Sequence, residues 1–331
     1  MTTTRVIMSY PWGQKCNKDS YICTLAAEVL GVAKSELRED ESGRAQALMQ
    51  LREWIKKNYD IHHCRTDDSF LLRFLRVKKF SVPMAQTTIL KYLNLRQTFP
   101  HLCMGLDFLN PSVKQLIESG YIFASPIRDS QGRRVIIGIA NNFNPYKYSN
   151  EDMAKAHLVT YETLLEDEES QIMGFTHFGD LKGVSAAHIT LWGPTEFATV
   201  IKWGEQSIPM RHKEIHLINV PAALRYVYDF ARTRFSPKMR SRFTVHSSLE
   251  DCHTKLDPKV LPKEYGGVIP MSDMIDMWKK EVASKREKLL SLDKMKLLNN
   301  KNISAHNQLN NAKNKSEIMN LTGSFKKLEV D

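Results

Sequence analysis

Residues 133–181 read RRVIIGIANNFNPYKYSNEDMAKAHLVTYETLLEDEESQIMGFTHFGDL, and the rhythm of this stretch decides the fold. RRVIIGIA (133–140) is short and β-rich, DMAKAHLVTYETLLEDEE (152–169) is helical with an acidic end, and QIMGFTHFGDL (171–181) reads as a strand that closes at Gly183. Upstream, GYIFASPI (120–127) is another strand, joined to the first through the turn RDSQG. Downstream, TEFATVIKWGEQS (195–207) reads as a helix, KEIHLINV (213–220) as a strand, and AALRYVYDFARTRF (222–235) and PKMRSRF (237–243) as helices. Strands alternating with helices predict an α/β fold, a mostly parallel sheet covered by helices.

Outward from this centre the pattern turns helical. CTLAAEVLGVAKSELRED (23–40), RAQALMQLREWIKKNY (44–59), DDSFLLRFLRVKKF (67–80) and VPMAQTTILKYLNLRQTF (82–99) carry apolar residues at three-and-four spacing. Thr66 or Asp67 can cap the third of these, on which Phe70 and Phe74 stack. No strand is expected before residue 120. Past the centre, residues 271–297 predict one long amphipathic helix that packs on the domain, since it lacks clean heptads for a dimer seam. Seven asparagines fall between 299 and 315 with almost no aromatic residue, so order is not expected beyond about residue 299.

The chain has 331 residues, 42% hydrophobic and 25% charged, values that exclude a fibrous chain. No apolar run approaches the ~18 residues of a membrane span. MTTTRVIMSYPWGQKC has no apolar stretch ahead of a cleavage site, which predicts a cytoplasmic protein. Five widely spaced cysteines without C-x-x-C suit free thiols in a reducing compartment. The net charge of +10 requires an acidic partner, nucleic acid or an anionic membrane surface.

Catalytic signatures are missing: no G-x-S-x-G elbow, phosphate-binding loop, G-x-G-x-x-G after a strand, or H-E-x-x-H. His62, His63 and Cys64 are adjacent and cannot converge on one ion, and Cys252 with His253 is no better, so no metal is expected. Asp180 reads as a strand-end residue that bonds its own turn. Glu162, Glu166, Asp167, Glu168 and Glu169 lack the alternating oxygens of a calcium loop and read as a solvated helix end.

Residues 208–242 are more informative. Eight basic side chains face two acidic ones there, among Leu224, Tyr226, Val227, Tyr228, Phe230 and Phe235. Two readings stay open on composition: a helix docking on an anionic membrane interface, or an amphipathic helix packing on its own sheet. Nucleic acid is disfavoured, because no recognised motif or stacking platform accompanies the charge.

Five motifs in order resemble the CRAL-TRIO lipid-binding family, in its tocopherol-transfer-like, clavesin and retinaldehyde-binding branches. They are DDSFLLRFLRVKKF (67–80), LLEDEESQIMGF (164–175) with DLKG (180–183), SIPMRHKEIHLIN (207–219), LPKEYGG (261–267) and an ending, GSFKKLEVD, similar to insect members. The resemblance implies a helical N-terminal region (1–100, core about 45–98), a CRAL-TRIO domain (105–270), a C-terminal helix (271–298) and a tail (299–331). It also implies a gate helix from Ala222 to Phe235 over an apolar cavity.

In the tocopherol-transfer branch phosphoinositide headgroups meet basic residues outside the gate. By motif these are Lys78, Arg211, Lys213, Lys238 and Arg242, all basic in this chain. Candidate pocket residues are His157, Tyr161, Phe175, His177, Phe197 and Ile201, with core packing as the competing reading. His157 and Tyr161 stand where the tocopherol branch has serines, and Gly179 stands near the retinaldehyde branch's glutamate, so neither cargo is supported residue by residue. What the resemblance implies is a monomeric, non-enzymatic carrier without cofactor. It would bind one hydrophobic ligand and visit phosphoinositide-bearing endosomal, Golgi or plasma membranes. Two other readings are a phospholipid sensor or exchanger and a lipid-stabilised interaction module.

Overall fold

The computed structural model describes residues 24–192, 200, 204–221 and 235–298. Two hydrophobic cores organise them, an N-terminal helical one and a larger one around a five-stranded sheet.

The helical part comprises α1 (Ala27–Leu37), α2 (Glu41–Lys57), α3 (Asp68–Val77), α4 (Val82–Thr98) and the short α5 (Pro100–Cys103). Asp40 and Asp67 cap α2 and α3 by accepting from the amides of Gly43 and Phe70, which satisfies donors that a helix start leaves open. Asp67, not Thr66, is thus the cap of α3. Phe70, Phe74 and Tyr92 meet edge to face, with ring centroids 5.3 and 5.5 Å apart along the series, and fill this core with Leu51, Leu71 and Ile89.

The sheet runs β2 (Ile122–Ala124), β3 (Arg134–Ile139), β4 (Phe175–Asp180), β5 (His212–Ile218), β6 (Phe243–Val245), in that spatial order. Only the β2–β3 pair is antiparallel, so the mostly parallel α/β sheet read from the sequence is present. Helices α6 (Pro111–Glu118), α7 (Asn150–Leu165) and α12 (Met271–Ser291) pack beside it, and α8 (Glu168–Met173), α9 (Ala186–Thr190), α10 (Pro237–Arg240) and α11 (Leu249–His253) fill connections.

Four boundaries differ from the sequence reading. A two-residue strand, β1 (Ile61–His62), precedes residue 120 and pairs antiparallel with β7 (Lys296–Leu297). The C-terminal helix accordingly stops at Ser291: Asp293 turns away to take Arg96 Nη2 (2.7 Å) and the Gly105 amide (2.8 Å). Leu292, Met295 and Leu297 then enter the helical core, while Trp278, Val282 and Leu289 serve the sheet core. Residues 171–173 belong to α8 rather than to a strand, because Gly174 (φ 89°) ends that helix and β4 starts at Phe175. PKMRSRF divides into α10 and the start of β6.

The acidic run is not a solvated helix end either. Glu162 and Glu166 are buried; Arg73, itself fully buried, bonds both at 2.8 and 2.7 Å, and Arg65 adds a 2.6 Å bond to Glu166. Burial alone would raise the Glu166 carboxyl, but Arg73 and Arg65 overrule it and hold it at about 2.

Candidate functional site

Glycine 174 makes the entrance to β5 possible. A Cβ there would lie 2.6 Å from the Arg211 carbonyl oxygen, which instead accepts from the Phe175 amide at 3.0 Å. Arg211 is so fixed that its guanidinium reaches the Ile172 carbonyl and Glu36 Oε2, the latter at 2.6 Å. Lys213 Nζ donates to the same Glu36 oxygen at 2.8 Å, so one carboxylate of α1 bridges two of the expected anion-binding cations.

Lys78 arrives from the C-terminal end of α3 and Lys238 from α10, which Ser236 caps through the Met239 amide. Arg242 stands just before β6, with the Phe235 and Phe243 rings 5.0 Å apart beside it. Burial lowers the pKa of Lys78, and so do Lys91 and Lys238. Lys238 is lowered by burial and by Arg242, Lys79 and Arg211. Arg211 is lowered by burial, against Glu36, with Arg242 and Arg133 adding to the lowering. Three separate chain segments, at 78, 211–213 and 238–242, therefore bring Lys78, Arg211, Lys213, Lys238 and Arg242 into one field of like charge, which an anion relieves. Lys79, Lys91 and Arg133 belong to that field and were not singled out from the sequence.

A second group lies between α7 and the sheet. Tyr121 Oη and His157 Nε2 are 3.0 Å apart, His157 Nδ1 and Tyr161 Oη 3.2 Å, and His177 Nε2 and His212 Nδ1 2.8 Å. The Tyr161 ring stands 6.3 Å from that of His177 and 6.4 Å from that of His212, closing the cluster. Burial presses His157 and His212 down to about 4 and His177 well below the ordinary imidazole value, so all three are neutral at pH 7. Burial likewise pushes Tyr161 up to about 12. These are uncharged donors and acceptors, suited to the polar end of an otherwise apolar molecule.

The structure thus unites His157, Tyr161 and His177 and adds His212, which only the β4–β5 register could bring in. Phe175 is fully buried in the sheet core. Phe197 and Ile201, and the gate residues Leu224, Tyr226, Val227, Tyr228 and Phe230, lie outside the described residues. Asp180 accepts from the Lys182 amide, as its turn predicts, and also from Asn219 Nδ2 and Tyr265 Oη, both at 2.8 Å. Cys64, Cys103 and Cys252 are free thiols. Among the described residues no helix is long and apolar enough to cross a membrane.

Comparison with known proteins gives this geometry a family. The CRAL/TRIO domain matches residues 118–267, and a Pinta-like UBA domain matches residues 40–113. Alpha-tocopherol transfer protein-like of Mus musculus is 31% identical over 249 residues, 75% of this chain and 72% of that protein. Clavesin-2 of Rattus norvegicus is 30% identical over 251 residues, 76% of this chain and 77% of that protein. The crystal structure of Sfh5 matches with a TM-score of 0.49 at 16% identity, over 74% of this chain and 99% of that one. Relatives that similar over most of their own length, with the domain lying across the described sheet, place the chain in the CRAL/TRIO family of lipid-binding proteins.

Proposed function

We propose that this protein carries one hydrophobic ligand against the His157–Tyr161–His177–His212 face and exchanges it at phosphoinositide-bearing membranes, by opening and closing rather than by bond chemistry. The observation that supports the reading is the convergence of Lys78, Arg211, Lys213, Lys238 and Arg242: Arg211 and Lys213 share one Glu36 oxygen, and, besides burial, Lys238 lowers Lys78 while Arg242 and Arg211 lower Lys238. A multiply charged headgroup is the ligand such a field suits, because guanidinium and ammonium donors can share several phosphate oxygens.

The binding face supports the carrier half. His157, Tyr161, His177 and His212 keep part of their surface accessible, as do Gly138, Gly179 and Leu217 on central strands, although burial sets the pKa of all four titrating groups. A Cβ on Gly138 would meet only two backbone oxygens at 4.0 Å and no side chain. Accessible surface deep in a fold is surface facing an internal space, and its lining of aliphatic, aromatic and neutral polar groups suits a lipophile with one polar end. The carrier would work in the cytoplasm as a monomer without a cofactor.

Vesicle co-flotation tests the reading. Arg211→Ala with Lys213→Ala should reduce binding to phosphatidylinositol bisphosphate vesicles at least tenfold, while lipids extracted from the purified variant stay as in the wild type. Equal flotation of wild type and variant would refute the docking site; an absence of bound lipid, with no loading from vesicles, would refute the carrier.

A further inference from the structure

One group of three metal-ligating side chains converges among the described residues, apart from the His157–His212 cluster. His216 of β5, His246 just past β6 and Cys252 of α11 bring a ring nitrogen each and Sγ within 4.8 Å of one another. All three are buried, at 3%, 5% and 0% exposure. His216 follows Ile215, the register partner of His177, so it points to the opposite face of the sheet from His177.

The two imidazoles turn a nitrogen each toward the same point. His216 Nδ1 and His246 Nε2 are 2.9 Å apart, with the rings stacked at 5.2 Å. Each outer nitrogen faces a carboxylate: His216 Nε2 lies 3.2 Å from Glu214 Oε2, and His246 Nδ1 lies 3.6 Å from Asp251 Oδ2. Those carboxylates are themselves held, Glu214 by Arg133 at 2.8 Å and Asp251 by the Ser247 amide at 2.9 Å and hydroxyl at 3.1 Å. Ionised carboxylates only accept, so Glu214 holds the His216 proton on Nε2, while Asp251, beyond hydrogen-bond reach, favours the His246 proton on Nδ1 by its charge. With the His246 proton on Nδ1, both inner nitrogens are acceptors pointed at each other. A cation between them resolves the clash, and the thiol of Cys252 offers a third, soft donor to the same point.

We propose that His216 Nδ1, His246 Nε2 and Cys252 Sγ bind a divalent cation of the zinc class, leaving one coordination position for water or an external ligand. Two imidazoles backed by carboxylates and one thiolate are a donor set such ions favour. Bonds of about 2.0 Å to nitrogen in a tetrahedron set the two nitrogens ~3.3 Å apart, a few tenths of an ångström wider than they stand now. On binding, the Cys252 S–H breaks, its proton passes to solvent and the S–metal bond forms, with no change of oxidation state. The three ligands lie 30 and 6 residues apart along the chain, within one strand, just past another and on a short helix, which is why no spacing rule finds them.

Cobalt(II) titration of the chelator-stripped full chain tests the site. The expected result is one equivalent bound with tetrahedral visible bands and a thiolate-to-cobalt charge-transfer band, displaced by zinc. Cys252→Ser should abolish the charge-transfer band, and Cys103→Ser, at a buried thiol elsewhere, should retain it. Absence of that band in the wild type, or its survival in Cys252→Ser, would overturn the proposal and leave a proton shared between the two imidazoles. Should Cys252→Ser fail to fold, X-ray absorption of the zinc-loaded wild type decides: one sulfur beside two imidazoles supports the site, and a sulfur-free shell refutes it.

Discussion

Acid should weaken this fold through His157, and the size of the effect follows from its surroundings. Burial alone holds the imidazole down to about 4 from 6.5, between Tyr121 Oη and Tyr161 Oη. The unfolded chain therefore takes up the proton first as pH falls. Stability from this group is complete above the unfolded value of 6.5 and is lost progressively down to the folded value of about 4. The whole interval is worth about 3.4 kcal/mol, of which about 1.2 kcal/mol falls between pH ~7 and pH ~5.5. His157→Gln keeps a donor and an acceptor between the two phenols and cannot titrate. Urea unfolding followed by tryptophan fluorescence at the two pH values should show wild-type stability falling by about 1.2 kcal/mol more than that of the variant. His177 and His212 titrate in both proteins, so their share cancels. Equal losses, within about 0.3 kcal/mol, would mean that His157 already carries a proton in the folded protein or reaches bulk water, and the enclosed binding face would lose its main support.

Three further outcomes follow from named contacts. Glu36→Gln removes the carboxylate bridging Arg211 and Lys213; because Glu36 is half-exposed the contact is worth only about 0.2–1 kcal/mol, so affinity for phosphatidylinositol bisphosphate vesicles should rise by up to about fivefold in flotation. Arg73→Met leaves buried Glu162 with only the Tyr92 hydroxyl, while Glu166 keeps Arg65 and Lys288, and should cost about 3–5 kcal/mol in urea unfolding, part of it recovered by adding Glu162→Gln; a loss below about 1 kcal/mol would show the network to be inessential. Gly174→Ala must strain a backbone at φ 89° and push the Arg211 carbonyl away, so it should cost about 1–3 kcal/mol and weaken vesicle binding with it, whereas wild-type stability and binding would show that β5 tolerates the shift.

The alternation of short β-rich runs with helices made the parallel sheet legible, because each strand of the sheet from β3 to β5 is long enough to leave a local pattern. Strand β1 was not legible: two residues have no periodicity, and Ile61 and His62 become a strand only through partners more than 230 positions away. The same distance problem misled the reading of the acidic run. Glu162 and Glu166 look like a wet helix end until Arg73, 89 residues upstream of Glu162, is folded against them. Motif resemblance nominated five cations as an anion site, and the fold sets them near one another. It could not find Glu36, whose role depends on where α1 settles against β5. His212 stayed hidden for a further reason: it pairs with Phe175, and the register shift just past that pair accompanies its 2.8 Å side-chain contact with His177, while a bulge leaves no trace in composition.

The pairing of Ile61–His62 with Lys296–Leu297 also dictates when the protein can finish folding. During synthesis, α2, α3 and α4 emerge early, yet their shared core lacks Leu292, Met295 and Leu297 until nearly three hundred residues have been made. The N-terminal helices must wait on the ribosome as a loosely packed intermediate, with apolar surface unclosed, while the whole sheet is translated. Such sequence-distant closure raises contact order and slows folding, and it favours chaperone engagement of the nascent helices. In return the segment just past the sheet domain's last helix seals the core of the first helices.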